Sequence, residues 1–470
     1  MRQKNFDCCS ISSKTHGLKQ QKIEKIGINL LGSEIVFVVG DRVITRSSST
    51  DFNFEIDLDM SHFRLDIDTK LSPEKTFEGM RELICLSSEI GRVLIAHVIS
   101  GLTRVAFQEA GFTPCAVLVV TGESGMLKSH YVPHITQLYN RADGVRVDSR
   151  FNSTQRFIED IISAHDECTV VIDDLHTAAA RSIKRNNEIT AEEILRRISD
   201  DIGRGHKEGD SSVQKKFGGN VVFIGEYITG RESTMPRALV IKLTKKIDGV
   251  ILDQYQRKQP LLVSTFYYYF LQWYVDNFED IYKWIDQRLT QFRKATANSN
   301  LHGRLLDTQF YLEISYMLFL EFCKDSGFIL EEDALDEYDD FRDQLSKLVH
   351  EQQNRYESSE SKAEHIDYLK LIRELHRKGK FRLADSAGVY RPEKHDGLIY
   401  YECLCLRQKK LEKRLHEVSP DIKISDVIGA LKDKDALRRV NGSGKLTHQI
   451  STLDKSVGAQ RFYAIKLDFL

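Results

Sequence analysis

Apolar and polar positions change their rhythm several times along the chain. Residues 20 to 70 carry short β-type runs such as Glu34-Ile-Val-Phe-Val-Val39, bounded by Gly32 and by Gly40-Asp41. They predict a small β-rich N-terminal region over residues 1–75. From Thr76 to Gly111 the period becomes helical: Met80, Leu83, Ile84, Ile90, Val93, Leu94, Val98 and Leu102 predict one or two buried helices. From 115 to 243 strands and helices alternate, as expected of an α/β unit with a mainly parallel sheet. The strands read as Ala116–Val120, Gly144–Val147, Thr169–Ile172, Asn220–Ile224 and Ala238–Leu243, with helices beginning near Lys128, Thr154 and Thr190. After Lys245 the pattern is largely helical through 385, with an aromatic cluster at 266–274 and a charged, solvated stretch at 351–363. The expected segments are therefore 1–75, a core over 76–245, a helical region over 246–385 and a last unit over 386–470.

Composition narrows the class. The 470 residues, 41% hydrophobic and 29% charged, suit a globular chain, and 67 lysines and arginines against 69 acids leave no global field toward nucleic acid or membranes. Cys8, Cys9, Cys85, Cys115, Cys168, Cys323, Cys403 and Cys405 include no C-x-x-C pair, so idle thiols in a reducing compartment are expected. The first residues have no apolar leader pattern, and the longest uncharged apolar stretch, Leu261–Val275, is shorter than the ~20 residues of a spanning helix. A cytoplasmic protein without membrane contact is expected.

The strongest chemical signal is an apolar strand, Ala116 to Val120, that runs into Thr121-Gly-Glu-Ser-Gly-Met-Leu-Lys-Ser129. A glycine-containing turn followed by Lys-Ser at a helix start can hold phosphates on free backbone N–H groups and the helix dipole. Gly122, Glu123, Ser124, Gly125, Met126, Leu127, Lys128 and Ser129 are the candidate nucleotide-binding residues. Lys128 would pair with the β- and γ-phosphates, and the Ser129 hydroxyl would ligate Mg²⁺. Leu127 stands where G-x-x-x-x-G-K-[ST] has its second glycine. The bland alternative is an ordinary strand–turn–helix.

About 45 residues downstream, Cys168-Thr-Val-Val-Ile-Asp-Asp174 is an apolar strand ending in paired acids, the pattern of a Walker B strand. Asp173 is assigned to the metal and Asp174 to the attacking water; a polar turn holding two aspartates is the alternative. Asn220-Val-Val-Phe-Ile-Gly-Glu226 is a further buried-strand pattern, and in the usual P-loop order it lies beside the Walker B strand. Glu226 would there sense the γ-phosphate or merely cap a turn. Arg237, just before the strand at Ala238, is either an arginine finger, toward its own or a neighbouring subunit's nucleotide, or a surface ion pair.

With these residues in view, the stretch 114–243 resembles the ATPase domain of primase–helicase proteins of phages, integrative elements and staphylococcal chromosome cassettes. Those are AAA+ ATPases similar to the minichromosome-maintenance helicases. Their Thr-Gly-x-Thr-Gly-x-x-Lys-[Ser/Thr] loop resembles residues 121–129 without needing a glycine at 127. Further points of resemblance are Ser153-Thr154, Asp173-Asp174, Gly225-Glu226 and the Ser233-to-Arg237 segment. Where that family is Arg-rich, this chain has Gly203-Arg-Gly-His-Lys-Glu-Gly209. The segment before the core is too short for a primase domain, which implies a shortened member. The resemblance implies an α/β P-loop NTPase (AAA+-like) parallel sheet core with a helical region and a winged-helix-like C-terminal domain. It also implies ATP and Mg²⁺ as cofactors, DNA as a partner, and a homo-oligomer, with a hexamer as one ring size and Arg237 or Arg204 acting across the interface.

The segment Gly397–Leu470 reads as strand, helices and a β-wing, with Lys432, Lys434, Arg438, Arg439, Lys445, Lys455 and Arg461 as local basicity. Two main functions stay open: an oligomeric, DNA-translocating helicase, and an ATP-dependent switch or scaffold in element maintenance or defence. A DNA-binding regulator without ATPase activity is the third.

Overall fold

The computed structural model describes residues 21–23, 25–31, 34–40, 42–48, 54–56, 65–139, 147–175, 181–200, 205–208, 211–214, 217–228, 234–363, 367–418, 422, 424–438, 446–450 and 460–470. Contacts group the chain into two compact units, Met1–Ser359 and Glu360–Leu470.

The first unit opens with β1 (Gln21–Ile23), β2 (Gly27–Leu31), β3 (Glu34–Val39), β4 (Arg42–Thr45) and β5 (Phe54–Ile56). Strands β2, β3 and β4 form an antiparallel meander, and β1 pairs with β5 in parallel. Alternation along β3 sends Ile35, Phe37 and Val39 into the main core, while Val36 and Val38 pack with Ile23. Three helices follow: α1 (Pro73–Cys85), α2 (Gly91–Leu102) and α3 (Arg104–Glu109). Helix α1 starts where the sequence chemistry dictates, with the Ser72 hydroxyl accepting from the Lys75 amide and Pro73 in the first turn.

The core then runs β6 (Val117–Thr121), α4 (Lys128–Thr136), β7 (Ser149–Arg150), α5 (Gln155–Ala164), β8 (Thr169–Leu175), α6 (Arg181–Ser199), the hairpin strands β9 (Gly205–Glu208) and β10 (Ser211–Gln214), β11 (Asn220–Gly225) and β12 (Ala238–Lys242). Five of these strands form one sheet in the order β12-β6-β11-β8-β7, every neighbouring pair parallel. Both faces are covered, so the central strands β6, β8, β11 and β12 are apolar over most of their length, while the edge strand β7 is Ser149-Arg150. Leu118 and Val120 of β6 join the core shared with α2 and α4, and Val117 and Val119 join the core shared with α5 and α6. The expected placement of Asn220–Ile224 beside the Walker B strand is what forms, with β11 between β6 and β8.

Several local expectations change. The strand expected at Gly144–Val147 lies outside the described residues except for Val147; the described edge strand is β7, Ser149–Arg150. The helix expected to begin near Thr190 begins at Arg181, because Arg181-Ser-Ile-Lys-Arg-Asn-Asn187 is too polar to show an apolar stripe. Strand β8 continues past Ile172 through both aspartates to Leu175.

Helices α7 (Gly249–Lys258), α8 (Leu262–Ala295), α9 (Gly303–Asp325) and all but the last turn of α10 (Glu331–Ala363) complete this unit. The aromatic cluster is core: Phe266, Tyr267, Phe270 and Tyr274 of α8 are fully buried, and Phe266 and Phe270 meet Phe322 edge-on. The 351–363 stretch is the end of α10. No described helix is long and apolar enough to cross a membrane.

The second unit holds α11 (Tyr368–Arg377), β13 (Leu383–Ala384), β14 (Gly397–Tyr400), β15 (Cys403–Leu406), α12 (Gln408–His416), α13 (Ile424–Asp433), β16 (Thr447–Gln449) and β17 (Arg461–Lys466). Its sheet order is β13-β14-β15-β17-β16, and the pairs among β14, β15, β17 and β16 are antiparallel. Leu404 and Leu406 face the helices, while Cys403 and Cys405 face a smaller core around Tyr390 and Phe462.

Candidate functional site

In a parallel α/β sheet, ligands bind outside the carboxyl ends of the strands. Thr121, Gly225 and Lys242 end β6, β11 and β12 in register at that edge, and Gly225 pairs with Leu175 of β8. The loop 122–127 leaves β6 there and turns directly into α4. Gly122 is required by close approach: a Cβ would stand 2.8 Å from the Leu243 carbonyl oxygen. Its amide donates to the Gly225 carbonyl at 3.2 Å.

Leu127 resolves the departure at the second glycine. It adopts φ 66°, ψ 20°, the left-handed conformation a glycine would take, and is the residue before the first turn of α4. Steric cost for a side chain there is about 1–2 kcal/mol. The leucine packs against the main core, and its Cδ1 would lie 3.0 Å from a Cβ at Gly249, the first residue of α7. Leu127 supplies no side-chain cap, so the first amides of α4 are left for an anion. Pro133 inside α4 has no amide to return to the Ser129 carbonyl.

Lys128 is buried while Ser129 is exposed. The Lys128 ammonium folds back to donate to the carbonyls of Gly122 and Glu123, each at 2.7 Å. Burial lowers its pKa, and the charges of Asp173 and Glu226 oppose that shift. Lysine and both acids therefore share one site.

The aspartate pair sits on a β-bulge. Between the partners Phe223–Ile172 and Gly225–Leu175, Ile224 alone stands against Asp173 and Asp174. Asp174 takes φ 79°, left-handed for a non-glycine residue, and its amide donates to Asp173 Oδ1 at 2.6 Å. A regular strand would send the two side chains to opposite faces; the bulge breaks that alternation at the ligand edge. Gly225 permits it, since a Cβ there would lie 2.6 Å from the Leu175 carbonyl oxygen. Glu226 is exposed, with its amide held by the Leu175 carbonyl at 2.9 Å.

Arg237 is not brought to this site. It lies in a 3₁₀ turn, Met235–Arg237, at the start of β12. The five residues of β12, about 16 Å of strand, separate it from the ligand edge of its own chain. It donates to Asp200 at 2.5 Å and to the Arg196 carbonyl at 3.2 Å, and Arg304 also reaches Asp200 at 3.1 Å. Arg204, Arg231 and Ser233 lie outside the described residues. Sequence reasoning missed the roles of Leu243 and Gly249 as walls of the loop, since only tertiary contact reveals them.

Among solved structures, the chain is similar to SCCmec type IV Cch, described as an active helicase, at 14% identity and TM-score 0.52 over 95% of this chain and 80% of that one. The fold is an α/β P-loop fold. The JCV helicase matches at 13% identity over 52% of this chain and 74% of that one, with a TM-score of 0.23. No protein-family model matches the sequence, and no curated protein does.

The residues fit a magnesium nucleotide. An uncapped helix start and a buried lysine meet phosphate, and the exposed Ser129 hydroxyl and the Asp173 carboxylate are oxygen donors of the kind Mg²⁺ takes.

Proposed function

We propose that the chain is an ATP-hydrolysing motor that works on DNA as a homo-oligomer, a helicase of the mobile-element type that its motifs resemble. The observation carrying this reading is the convergence of Lys128, Asp173 and Glu226 on one strand edge beside an uncapped helix start. Bound Mg²⁺ supplies charge neutralisation on the phosphates. Lys128 leaves the Gly122 and Glu123 carbonyls for the β- and γ-phosphates, so the loop exchanges internal hydrogen bonds for ligand ones. Ser129 and Asp173 would hold the metal shell. Asp174 would orient the water and take its proton as the water oxygen bonds to the γ-phosphorus and the bond to the β–γ bridging oxygen breaks, releasing ADP and phosphate, and Glu226 would report the γ-phosphate to β11. Arg237, placed at the opposite sheet end, would serve the nucleotide of a neighbouring copy. The second unit's succession α11-β15-α12-α13-β16-β17, with β14 added at one side, supports a winged-helix-like module within the proposed 386–470 segment.

The test is ATP turnover of wild type, Lys128→Ala and Asp173→Ala with and without single-stranded and forked DNA. Turnover that DNA stimulates and both substitutions abolish supports the motor. Turnover indifferent to DNA makes the chain a nucleotide switch or scaffold, and absence of nucleotide binding sinks the P-loop reading.

A further inference from the structure

The second unit carries a charge concentration that the nucleotide site does not use. Residues 377–416 hold 11 lysines and arginines against 5 acids, a surplus of six in a chain whose net charge is −2. The fold gathers part of this charge around one buried carboxylate. Asp396 accepts from Arg414 at 2.8 Å, with Arg382 at 3.6 Å and Lys410 at 3.9 Å, so cations from before β13 and from α12 converge on it. Glu417 also accepts from Arg414, at 3.1 Å, so it is Arg382 and Lys410, held by Asp396 at longer range, that keep charge to offer. Lys409 and Lys413 extend the positive surface along the exposed side of α12.

Strand β14 leads from this cluster to an exposed hairpin turn, Tyr401-Glu402. Tyr401 and Glu402 both take left-handed backbone, φ 46° and 57°, at two successive non-glycine positions. Tyr401 is 71% exposed, Ile399 47%, and Tyr400 braces Tyr401 edge-on with ring centroids 4.5 Å apart. Arg438 donates to the Tyr401 carbonyl at 3.1 Å. The two residues are the two-residue loop between β14 and β15, where positive φ at both positions is the usual hairpin geometry, so the turn holds the Tyr401 ring out at the hairpin tip. Helix α13, the second of the helix pair α12–α13 and so the one a winged helix would lay in a groove, has Lys432 against Asp426 and Asp433 and offers phosphate little.

We propose that the basic cluster around Asp396, with α12 and the Tyr401 turn, is a binding surface for single-stranded nucleic acid, cations taking phosphates and Tyr401 stacking on a base. Phosphate contact by lysine and arginine positions a strand without reading it, and aromatic stacking tolerates any base. The proposal deepens the motor reading by naming where the second unit meets its partner, and it shifts that contact away from α13.

The experiment is fluorescence anisotropy of a labelled oligo-thymidine with the full chain, across a salt series, without nucleotide. Lys409→Glu/Lys413→Glu should weaken binding about tenfold or more and flatten the dependence of log K on log salt by about 1.4, the share of two single-strand phosphate contacts. Tyr401→Ala should weaken binding by about tenfold with the salt slope unchanged. Lys432→Glu on α13 should bind as wild type. Unchanged affinity in the double variant overturns the proposal, as does a loss confined to Lys432→Glu or a wild type that hydrolyses ATP yet binds no oligonucleotide. DNA-independent ATP turnover of each variant, expected at the wild-type rate, separates this outcome from a failed nucleotide site and verifies folding.

Discussion

Glu167→Gln should stabilise the protein, and increasingly so as pH rises. Glu167 is buried two residues before β8, with φ 49°, and its Oε2 accepts the Ile28 amide of β2 at 2.6 Å. The contact is close enough that a Cβ on Gly27 would stand 1.9 Å from that oxygen. Burial raises the carboxyl pKa from 4.5 to about 8, against the opposing pull of Lys25 and of the Ile28 and Val105 amides. The folded pKa lies above the unfolded one, so the stability linked to the neutral acid is complete below about pH 4.5 and is lost progressively up to about pH 8. A rise of this size corresponds to roughly 5 kcal/mol across that window, near 1.4 per pH unit. Glutamine keeps the shape and the acceptor for Ile28 without the ionisation. Urea titrations of both proteins at pH 5, 6.5 and 8 should show similar midpoints at the low end and a widening advantage for the variant. Parallel pH profiles, or a wild type that is the more stable at pH 8, would mean that the acid is charged and paired with Lys25, and would refute the reasoning.

Leu127→Gly relieves left-handed strain but loses the leucine's packing, effects that offset and should leave denaturant stability near wild type, whereas Leu127→Ala keeps the strain and should cost about 1–2 kcal/mol. Gly225→Ala drives a Cβ into the Leu175 carbonyl at the bulge; about 1–3 kcal/mol of destabilisation is expected, and ATP turnover measured where the variant remains folded should fall further than nucleotide affinity. If Arg237 acts between copies, Lys128→Ala and Arg237→Ala chains should each be inactive alone, while a 1:1 mixture should regain about a quarter of wild-type turnover; no recovery on mixing would confine Arg237 to its ion pair with Asp200.

Three central strand runs and the signals beside them were readable because β6, β8 and β11 are apolar for most of their length and meet a chemical signal near their ends, Thr121-Gly, Asp173-Asp174 and Gly225-Glu226, whereas the short edge strand Ser149-Arg150 carries no apolar run to read. What one-dimensional reading lacks is the direction from which distant segments arrive. Arg237 adjoins a strand in sequence, yet strand polarity puts it at the opposite sheet end from the loop. The bulge at Asp173-Asp174 depends on how β11 pairs with β8, which no property of β8 alone discloses. Likewise Leu127 departs from the glycine pattern while keeping glycine's conformation, because the contact with Gly249 comes from 122 positions away. In the second unit the basic residues singled out from sequence lie at 432–461; the count at 377–416 is equally legible there, but that Asp396 draws Arg382 and Arg414 together is a fact of the fold alone.

The packing of the first meander bears on how this chain can be cut. Phe37 lies edge-on to Tyr274 of α8 with ring centroids 6.4 Å apart, and Ile35, Phe37, Val39 and Ile44 belong to the same continuous core as α2, α8 and α9. Arg46 and Ser47 add polar ties to Glu279 and Asp276 on α8. A fragment starting at residue 76, as the motif boundaries would invite, would carry a raw apolar flank on its longest helix and should aggregate on expression. The smallest piece expected to stay in solution begins upstream of β2, so the meander has to travel with the sheet and helices it covers.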